Sequence, residues 1–130
     1  EGVDLIEVAC TRQGGVSAMN ALWSREQRPT AIVAFSDIIA LGVLDAAREL
    51  GVAVPDEVSV TGFDDLAEAR WSQPPLTTVR QPIESKGRLA AEFLVESISA
   101  GESLRPHRQR LHTDLLVRDS TGPAPAGATA

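Results

Sequence analysis

The chain has 130 residues, is 43% hydrophobic and carries a formal net charge of −6 at pH 7. This length suits one domain with a single core, and the acidic balance argues against direct binding to nucleic acid, whose phosphates attract basic surfaces. No apolar run approaches the roughly 18 residues of a membrane-spanning helix, so no membrane partner is predicted. Cys10 is the only cysteine, which excludes an internal disulfide and favours a reducing, cytoplasmic location.

The N-terminal part of the chain predicts a strand followed by a helix. Residues 5–9 are apolar enough for a short strand, and the first ten residues lack the basic and apolar regions of a signal peptide. Gly14 and Gly15 are predicted to break the chain before a helix over about residues 16–26. Because the sequence begins on a bare strand, we expect it to be a piece of a longer chain.

The central part of the chain predicts a strand, a helix and a second strand. Residues 31–35 are entirely apolar, which is typical of a strand buried on both faces of a parallel sheet. Ser36 and Asp37 are good helix N-cap residues, and the helix over 37–50 ends before a glycine. Residues 58–63 form the second strand, and the right-handed crossover makes the two strands parallel.

The rest of the chain predicts further helices and strands. Residues 66–71 make at most two helical turns, and residues 76–80 form an extended segment. An apolar stripe recurs with helical spacing over residues 82–100, and residues 109–118 form a last strand. Uncharged glycine, proline and alanine predict disorder over residues 122–130. The order of elements predicts an α/β fold with a doubly wound, mainly parallel sheet flanked by helices.

Polar side chains follow the predicted parallel strands at one edge of the sheet. Cys10, Ser36 and Asp64 each stand where a strand ends, and ligands of open α/β sheets bind at that edge. A carboxylate accepts hydrogen bonds from neighbouring hydroxyls, so these groups suit a small hydroxylated ligand. We therefore predict ligand binding without chemistry.

Residue types that could support catalysis lack the neighbouring residues and the spacing that such sites require. Asp64 and Asp65 suggest a metal or phosphoryl-transfer site, but adjacent residues at a strand end point to opposite sides. His107 and His112 lack the spacing of metal ligands, and Ser36 is not flanked by the glycines of a nucleophile elbow, so helix capping is its plainer role. The sequence predicts no enzyme activity, no metal site and no cofactor.

The helix over residues 37–50 has apolar residues on two of its faces. One face is predicted to pack on the sheet, while Ile38 and Leu41 lie on the opposite face near the start of the helix. Outward apolar residues need a second covering surface, which predicts a subunit interface. The alternative is that residues 66–71 fold over them.

Three sequence motifs occur in order along the chain. They are PTAIVAFSDIIALGVLDAARELGVAVPDEVSVTGFDD, QPPLTTVRQPIESKGRLAAEFL and LLVRDST. Together they resemble the effector-binding core of the LacI/GalR family of bacterial transcription regulators over roughly residues 1–121. The resemblance implies a type I periplasmic-binding-protein-like fold of two lobes, with a small molecule between them that biases operator binding by an N-terminal helix-turn-helix. This chain would be one lobe plus crossing segments, with residues 82–111 crossing to a missing N-terminal lobe.

The resemblance also implies roles for individual residues. Ser36 takes the place of a ligand-contacting asparagine, Asp64 is the acid that binds ligand hydroxyls, and Gln81 lies at the lobe junction. Cys10 stands where many members have an aromatic residue that stacks on the ligand. Family members pair through the segments corresponding to 37–50 and 66–73, so the expected homodimer interface includes Ile38, Leu41 and Trp71.

Two functions fit the sequence. The first is the effector-sensing module of a transcriptional regulator, which binds a sugar or a related hydroxylated ligand and reaches operator DNA only through the absent headpiece. The alternative is an exported solute-binding protein of the same fold. The lone cysteine and the closeness of the GFDD and PPLTTVRQP motifs favour the regulator. An upstream helix-turn-helix, as opposed to a signal peptide, would discriminate between them.

Overall fold

Helices and strands alternate along the chain in the computed structural model, which describes residues 4–100 and 108–125. The elements of the central part differ from the predicted bounds by one or two residues. No helix in these ranges is long and apolar enough to cross a membrane. The elements are α1 Arg12–Trp23, β1 Ala31–Val33, α2 Asp37–Glu49, β2 Ser59–Asp64, α3 Ala67–Trp71, β3 Thr77–Arg80, α4 Ile83–Ala100 and β4 Asp114–Leu116.

The strands form one sheet in the order β1-β2-β3-β4. β1 pairs with β2 and β2 pairs with β3 in parallel, while β4 adds to β3 in the antiparallel direction. The α/β class and the mainly parallel sheet are therefore confirmed. Parallel pairing brings the carboxyl ends of β1, β2 and β3 to one edge, where the predicted ligand residues lie.

The core lies between α2 and one face of the sheet. Val60 and Gly62 of β2 are buried on this face, together with Ala40, Val43 and Ala47 of α2. The opposite face is less covered in the described residues: Val33, Phe35, Leu115 and Val117 are 64–81% exposed, while Phe63 and Val79 are half-buried. The helical cover predicted for both faces of a doubly wound sheet is thus present on one face of the described structure.

The glycine pair near the N-terminus does not break the chain, contrary to the prediction. Gly14 and Gly15 lie inside α1, whose N-cap is Thr11. A Cβ at Gly15 would overlap the Ile39 carbonyl oxygen of α2, and a Cβ at Gly42 would overlap the Arg12 carbonyl oxygen of α1. The glycines therefore serve the close crossing of α1 and α2.

One predicted strand is absent, and another is shorter than predicted. Residues 5–9 are not a strand, because no strand in the described ranges pairs with the free edge of β1, and an extended segment without a partner lacks the ladder that defines a strand. The last strand is confined to Asp114–Leu116 rather than 109–118, since only these residues pair with β3.

The residues predicted for a subunit interface differ in exposure. Ile38 and Trp71 are 40% and 78% exposed, but Leu41 is only 4% exposed, so its predicted outward position is wrong. Residues 40–44 are all buried. Because consecutive residues point around a helix, α2 is enclosed on every side at this point.

The long helix α4 has no buried residue between positions 83 and 99. Leu94, Val95 and Ile98 are more than half exposed. Residues 101–107 of the predicted crossing segment, including His107, lie outside the described ranges.

The start of the C-terminal tail is held against the sheet. The Gly122 amide donates to Ser59 Oγ at 3.1 Å, and the buried Ser120 hydroxyl donates to the Val60 carbonyl at 2.6 Å. Gly122, the first residue of the range for which disorder is predicted, is thus hydrogen-bonded to β2. Residues 126–130 lie outside the described ranges.

Candidate ligand-binding site

The four predicted ligand residues meet as two contacting pairs at the carboxyl edge of the sheet. Cys10 Sγ lies 3.5 Å from Ser36 Oγ. Gln81 Nε2 donates a hydrogen bond to Asp64 Oδ1. β1 and β2 are neighbours, so the ends that carry Ser36 and Asp64 are adjacent along the edge.

Ser36 and Cys10 are positioned by the starts of two helices. Ser36 is the N-cap of α2, and its Oγ accepts from the Ile39 amide at 3.4 Å. Cys10 directly precedes Thr11, the N-cap of α1, and is exposed. Ser36 thus combines the predicted capping role with a place at the edge, and Cys10 supplies an exposed thiol beside it.

Asp64 ends β2 and is half-buried, with one carboxylate oxygen bound by the chain itself. The donor is the Gln81 side-chain amide, and the Gln81 Oε1 accepts in turn from Lys86 Nζ at 2.6 Å. The interaction with Lys86 orients the amide, because it places Oε1 on the ammonium and leaves Nε2 for Asp64. The Asp64 carboxylate thus accepts from an N–H donor at the carboxyl edge of the sheet.

Asp65, the next residue, has different hydrogen-bond partners from Asp64. Its two oxygens accept from Arg118 Nη2 at 2.6 Å and from Arg80 Nε at 2.7 Å. Burial raises the pKa of Asp65, but the hydrogen bonds from Arg118 and Arg80 outweigh it, and the pKa lies below its ordinary value. Asp65 is thus an anion neutralised within the chain, as the divergence of adjacent side chains predicts.

Asp37 is a residue whose role the sequence did not indicate beyond helix capping. It is fully buried, and its oxygens accept from the Thr78 hydroxyl at 2.6 Å and from the Leu66 amide at 2.7 Å. Gly62 makes room for it, because a Cβ there would overlap Asp37 Oδ1. The partners are 29 and 41 residues away along the chain, so no local pattern could reveal them.

A separate cavity of about 270 Å³ lies at the C-terminal end of α2. None of the four candidate residues lines it. Its walls are mostly apolar, and no carboxylate is among them. The candidate site is therefore the open edge of the sheet rather than this cavity, whose lining is Leu44, Ala47, Arg48, Gly51, Val52, Val54, Gln73 and Pro74.

Known proteins are similar to this chain over most of its length. A family model described as a periplasmic binding protein-like domain matches residues 4–121. The HTH-type transcriptional regulator MalR of Streptomyces coelicolor is 45% identical over 116 residues, which are 88% of this chain and 33% of that protein. The chain thus spans about a third of the length of this curated relative.

Two solved structures resemble the chain closely. A LacI family transcriptional regulator from Enterococcus faecalis V583, with bound ribose, has a TM-score of 0.83 at 33% identity and covers 95% of this chain and 45% of that one. A complex of the regulator CelR with cellobiose has a TM-score of 0.77 at 40% identity and covers 85% of this chain and 33% of that one. These relatives are regulators rather than exported solute-binding proteins. The chain belongs to the periplasmic binding protein-like domain family, in the form found in LacI-type transcriptional regulators.

Proposed function

We propose that the chain is the effector-binding part of a transcriptional regulator and that it binds a sugar-like, hydroxylated small molecule. Asp64 is the principal ligand acceptor, and Ser36, Gln81 and Cys10 complete this side of the site. The role is binding and signalling rather than catalysis.

The hydrogen bond between Asp64 and Gln81 is the observation that carries this proposal. A carboxylate at the carboxyl edge of the sheet, already accepting from an N–H donor, can accept equally from the hydroxyls of a ligand. The related regulators with bound ribose and cellobiose support a saccharide as the class of ligand.

Signalling requires parts that lie outside this chain. We propose that residues 82–111 cross to an N-terminal lobe, which closes over the ligand, and that operator DNA is bound through a helix-turn-helix headpiece. The exposed apolar side chains Leu94, Val95 and Ile98 of α4 support the crossing, because such residues need a covering surface. The net charge of −6 supports DNA binding through another part of the protein.

Assembly and location follow from the same role. We propose a homodimer whose interface includes Ile38 and Trp71, both exposed, and excludes Leu41. A regulator of transcription acts in the cytoplasm, and the single cysteine suits that compartment.

The proposal is tested by calorimetric titration of the protein with a set of saccharides that includes ribose and cellobiose. Asp64→Asn keeps the size of the side chain and removes its charge. Loss of a charge-assisted hydrogen bond costs about 1.5–3 kcal/mol, so we expect saccharide affinity to fall more than tenfold. Asp45→Asn is the matched control, because Asp45 is an acid of α2 whose ion-pair partners, Arg12 and Arg48, are not among the candidate site residues. Equal affinity in the Asp64 variant and the parent would refute the assignment.

A further inference from the structure

The turn that carries Asp64 has an unusual backbone. Asp64 has φ = 118° and Asp65 has φ = 57°, and no other non-glycine residue in the described ranges has a positive φ. L-residues adopt such angles rarely, and they persist only where the surroundings hold them in place. The contacts around this turn therefore decide where Asp64 points.

The turn is held by contacts after it and within it. After it, the Leu66 amide donates to the buried carboxylate of Asp37, which fixes the chain to the start of α2. Within it, the Asp65 carboxylate is bound by Arg118 and Arg80, each through a different oxygen. The side chains of Asp65 and Arg118 are 11% and 14% exposed, so this ion pair is shielded from water, whereas Arg80 is 46% exposed.

Arg118 is itself fixed by the sheet. Its Nη1 donates to the Leu76 carbonyl at 2.7 Å, and its backbone amide donates to Thr77 Oγ1 at 2.8 Å. The Arg118 side chain is 14% exposed. An arginine with these bonds cannot follow Asp65 if the turn relaxes, so it acts as a fixed point for the turn.

We infer that Asp65 is a positioning residue for the ligand site, and that its ion pairs with Arg118 and Arg80 hold the turn in which Asp64 meets Gln81. The inference rests on the proposed role of Asp64 as ligand acceptor. Asp65 contributes to affinity for a hydroxylated ligand without touching it. Asp64 thus accepts hydrogen bonds from the ligand, and Asp65 holds the backbone that positions Asp64.

The test uses the Asp65→Asn variant and a readout that needs no ligand. Asparagine tolerates positive φ and matches aspartate in size, so this change removes the charge and leaves the residue's backbone preference. The readout is the NMR signal of the Gln81 side-chain amide, which reports its hydrogen bond to Asp64 and is assigned with Gln81→Glu. We expect the amide proton shifts to move upfield in Asp65→Asn, and saccharide affinity to fall about tenfold.

Asp45→Asn is the matched control for this experiment. Asp45 is also a carboxylate shared by two arginines, Arg12 and Arg48, but it lies on α2 rather than in the turn that follows β2. Its variant should leave the Gln81 amide signal unchanged. If Asp65→Asn also leaves that signal unchanged, Asp65 does not position Asp64 and the inference is overturned.

Two further outcomes have a defined meaning. If Asp65→Asn does not fold, Arg80→Gln and Arg118→Gln replace it, because each removes one of the two ion pairs. A smaller shift of the Gln81 amide signal in both variants supports the inference. No shift in either variant overturns it. If Asp64→Asn leaves saccharide affinity unchanged, the proposed function fails. The Gln81 signal then still decides whether Asp65 shapes the turn.

Discussion

Asp64 and Asp65 are neighbours in sequence, but their carboxylates have different partners. Asp64 meets a neutral amide at the edge, whereas Asp65 meets two guanidinium groups. A neutral partner can be exchanged for a ligand hydroxyl at small energetic cost, whereas breaking a shielded ion pair leaves an uncompensated charge. The chemistry of the partners therefore supports Asp64, rather than Asp65, as the proposed ligand acceptor.

The acids with lowered pKa predict how stability depends on pH. A hydrogen bond from Arg12 lowers the pKa of Asp45. Burial raises the pKa of Asp65, but the hydrogen bonds from Arg118 and Arg80 together lower it by more, so that it lies below its ordinary value. Folding favours the charged forms, so these acids stabilise the protein above the ordinary value of 3.8, and the stabilisation is lost as the pH falls through the lower folded-state values. Urea unfolding should give a nearly constant free energy between about pH 5 and 7 and a steep fall below about pH 4.

The double variant Asp45→Asn, Asp65→Asn checks the source of that fall. Its unfolding free energy should be lower at neutral pH and should depend less on pH in the acid range. An acid dependence as steep as that of the parent would assign the effect to other carboxylates.

At the scale of residues, the sequence predicts which side chains reach the edge but not how they are held. Ser36 and Asp64 could be placed because each follows a strand whose apolar pattern is local. One partner of Asp65, Arg118, is 53 residues away, and a single sequence contains no signal for such a contact. The same holds for the partners of Asp37.

Helices α1 and α2 cross at a point where both have glycine. Gly15 and Gly42 let the two backbones approach, since a Cβ on Gly42 would lie 3.0 Å from the Gly15 Cα and would overlap the Arg12 carbonyl oxygen. The crossing sets the start of α1, which follows Cys10, against α2, which follows Ser36. Helix packing thus brings two of the site residues together.

Gly42→Ala is expected to disturb this crossing. The added methyl group has no space, and overpacking of this kind costs about 1–3 kcal/mol of unfolding free energy. Gly87→Ala in α4 is the matched control, because nothing lies within 4 Å of a Cβ at that position. The free energy of unfolding of Gly87→Ala should equal that of the parent or exceed it by about 0.4–1 kcal/mol. Urea unfolding measures both, and equal effects would contradict a tight crossing.

At the scale of elements, local patterns predict the central part of the chain well and the N-terminal part poorly. β1, α2 and β2 are close to their predicted bounds because apolar runs, caps and glycine act over a few residues. Gly14 and Gly15 are misassigned because their reason is a contact with Ile39 and Ala9 rather than a turn. Residues 5–9 have strand composition, but composition does not supply a partner strand.

The whole molecule exposes apolar side chains on several surfaces. The less covered sheet face and α4 lie on parts that the proposed second lobe or the rest of the protein would cover. Trp71 and Ile38 form a separate exposed pair of positions on α3 and α2. In the proposed homodimer, Trp71 and Ile38 would contact the second subunit.

Trp71→Arg is expected to convert a dimer into a monomer at micromolar concentration. A charged side chain in an apolar interface loses its hydration without gaining a partner, which opposes association. Leu50→Arg is the control, since Leu50 is 46% exposed and lies at the C-terminal end of α2, whereas Ile38 lies at its start. Light scattering should show a halved mass for the Trp71 variant only. A monomeric parent, or a Trp71 variant that remains dimeric, would contradict the interface.

The ion pair between Asp65 and Arg118 also sets an order of events during protein synthesis. The ribosome makes Asp65 first and adds Arg118 53 residues later, which takes roughly 3–10 s at about 5–20 residues per second. Until then the turn lacks one of its two arginines, and β3 lacks its antiparallel neighbour. A nascent chain that has emerged only as far as α4 therefore has a turn without its Arg118 contact, and the proposed ligand site is completed only after Arg118 has joined the sheet.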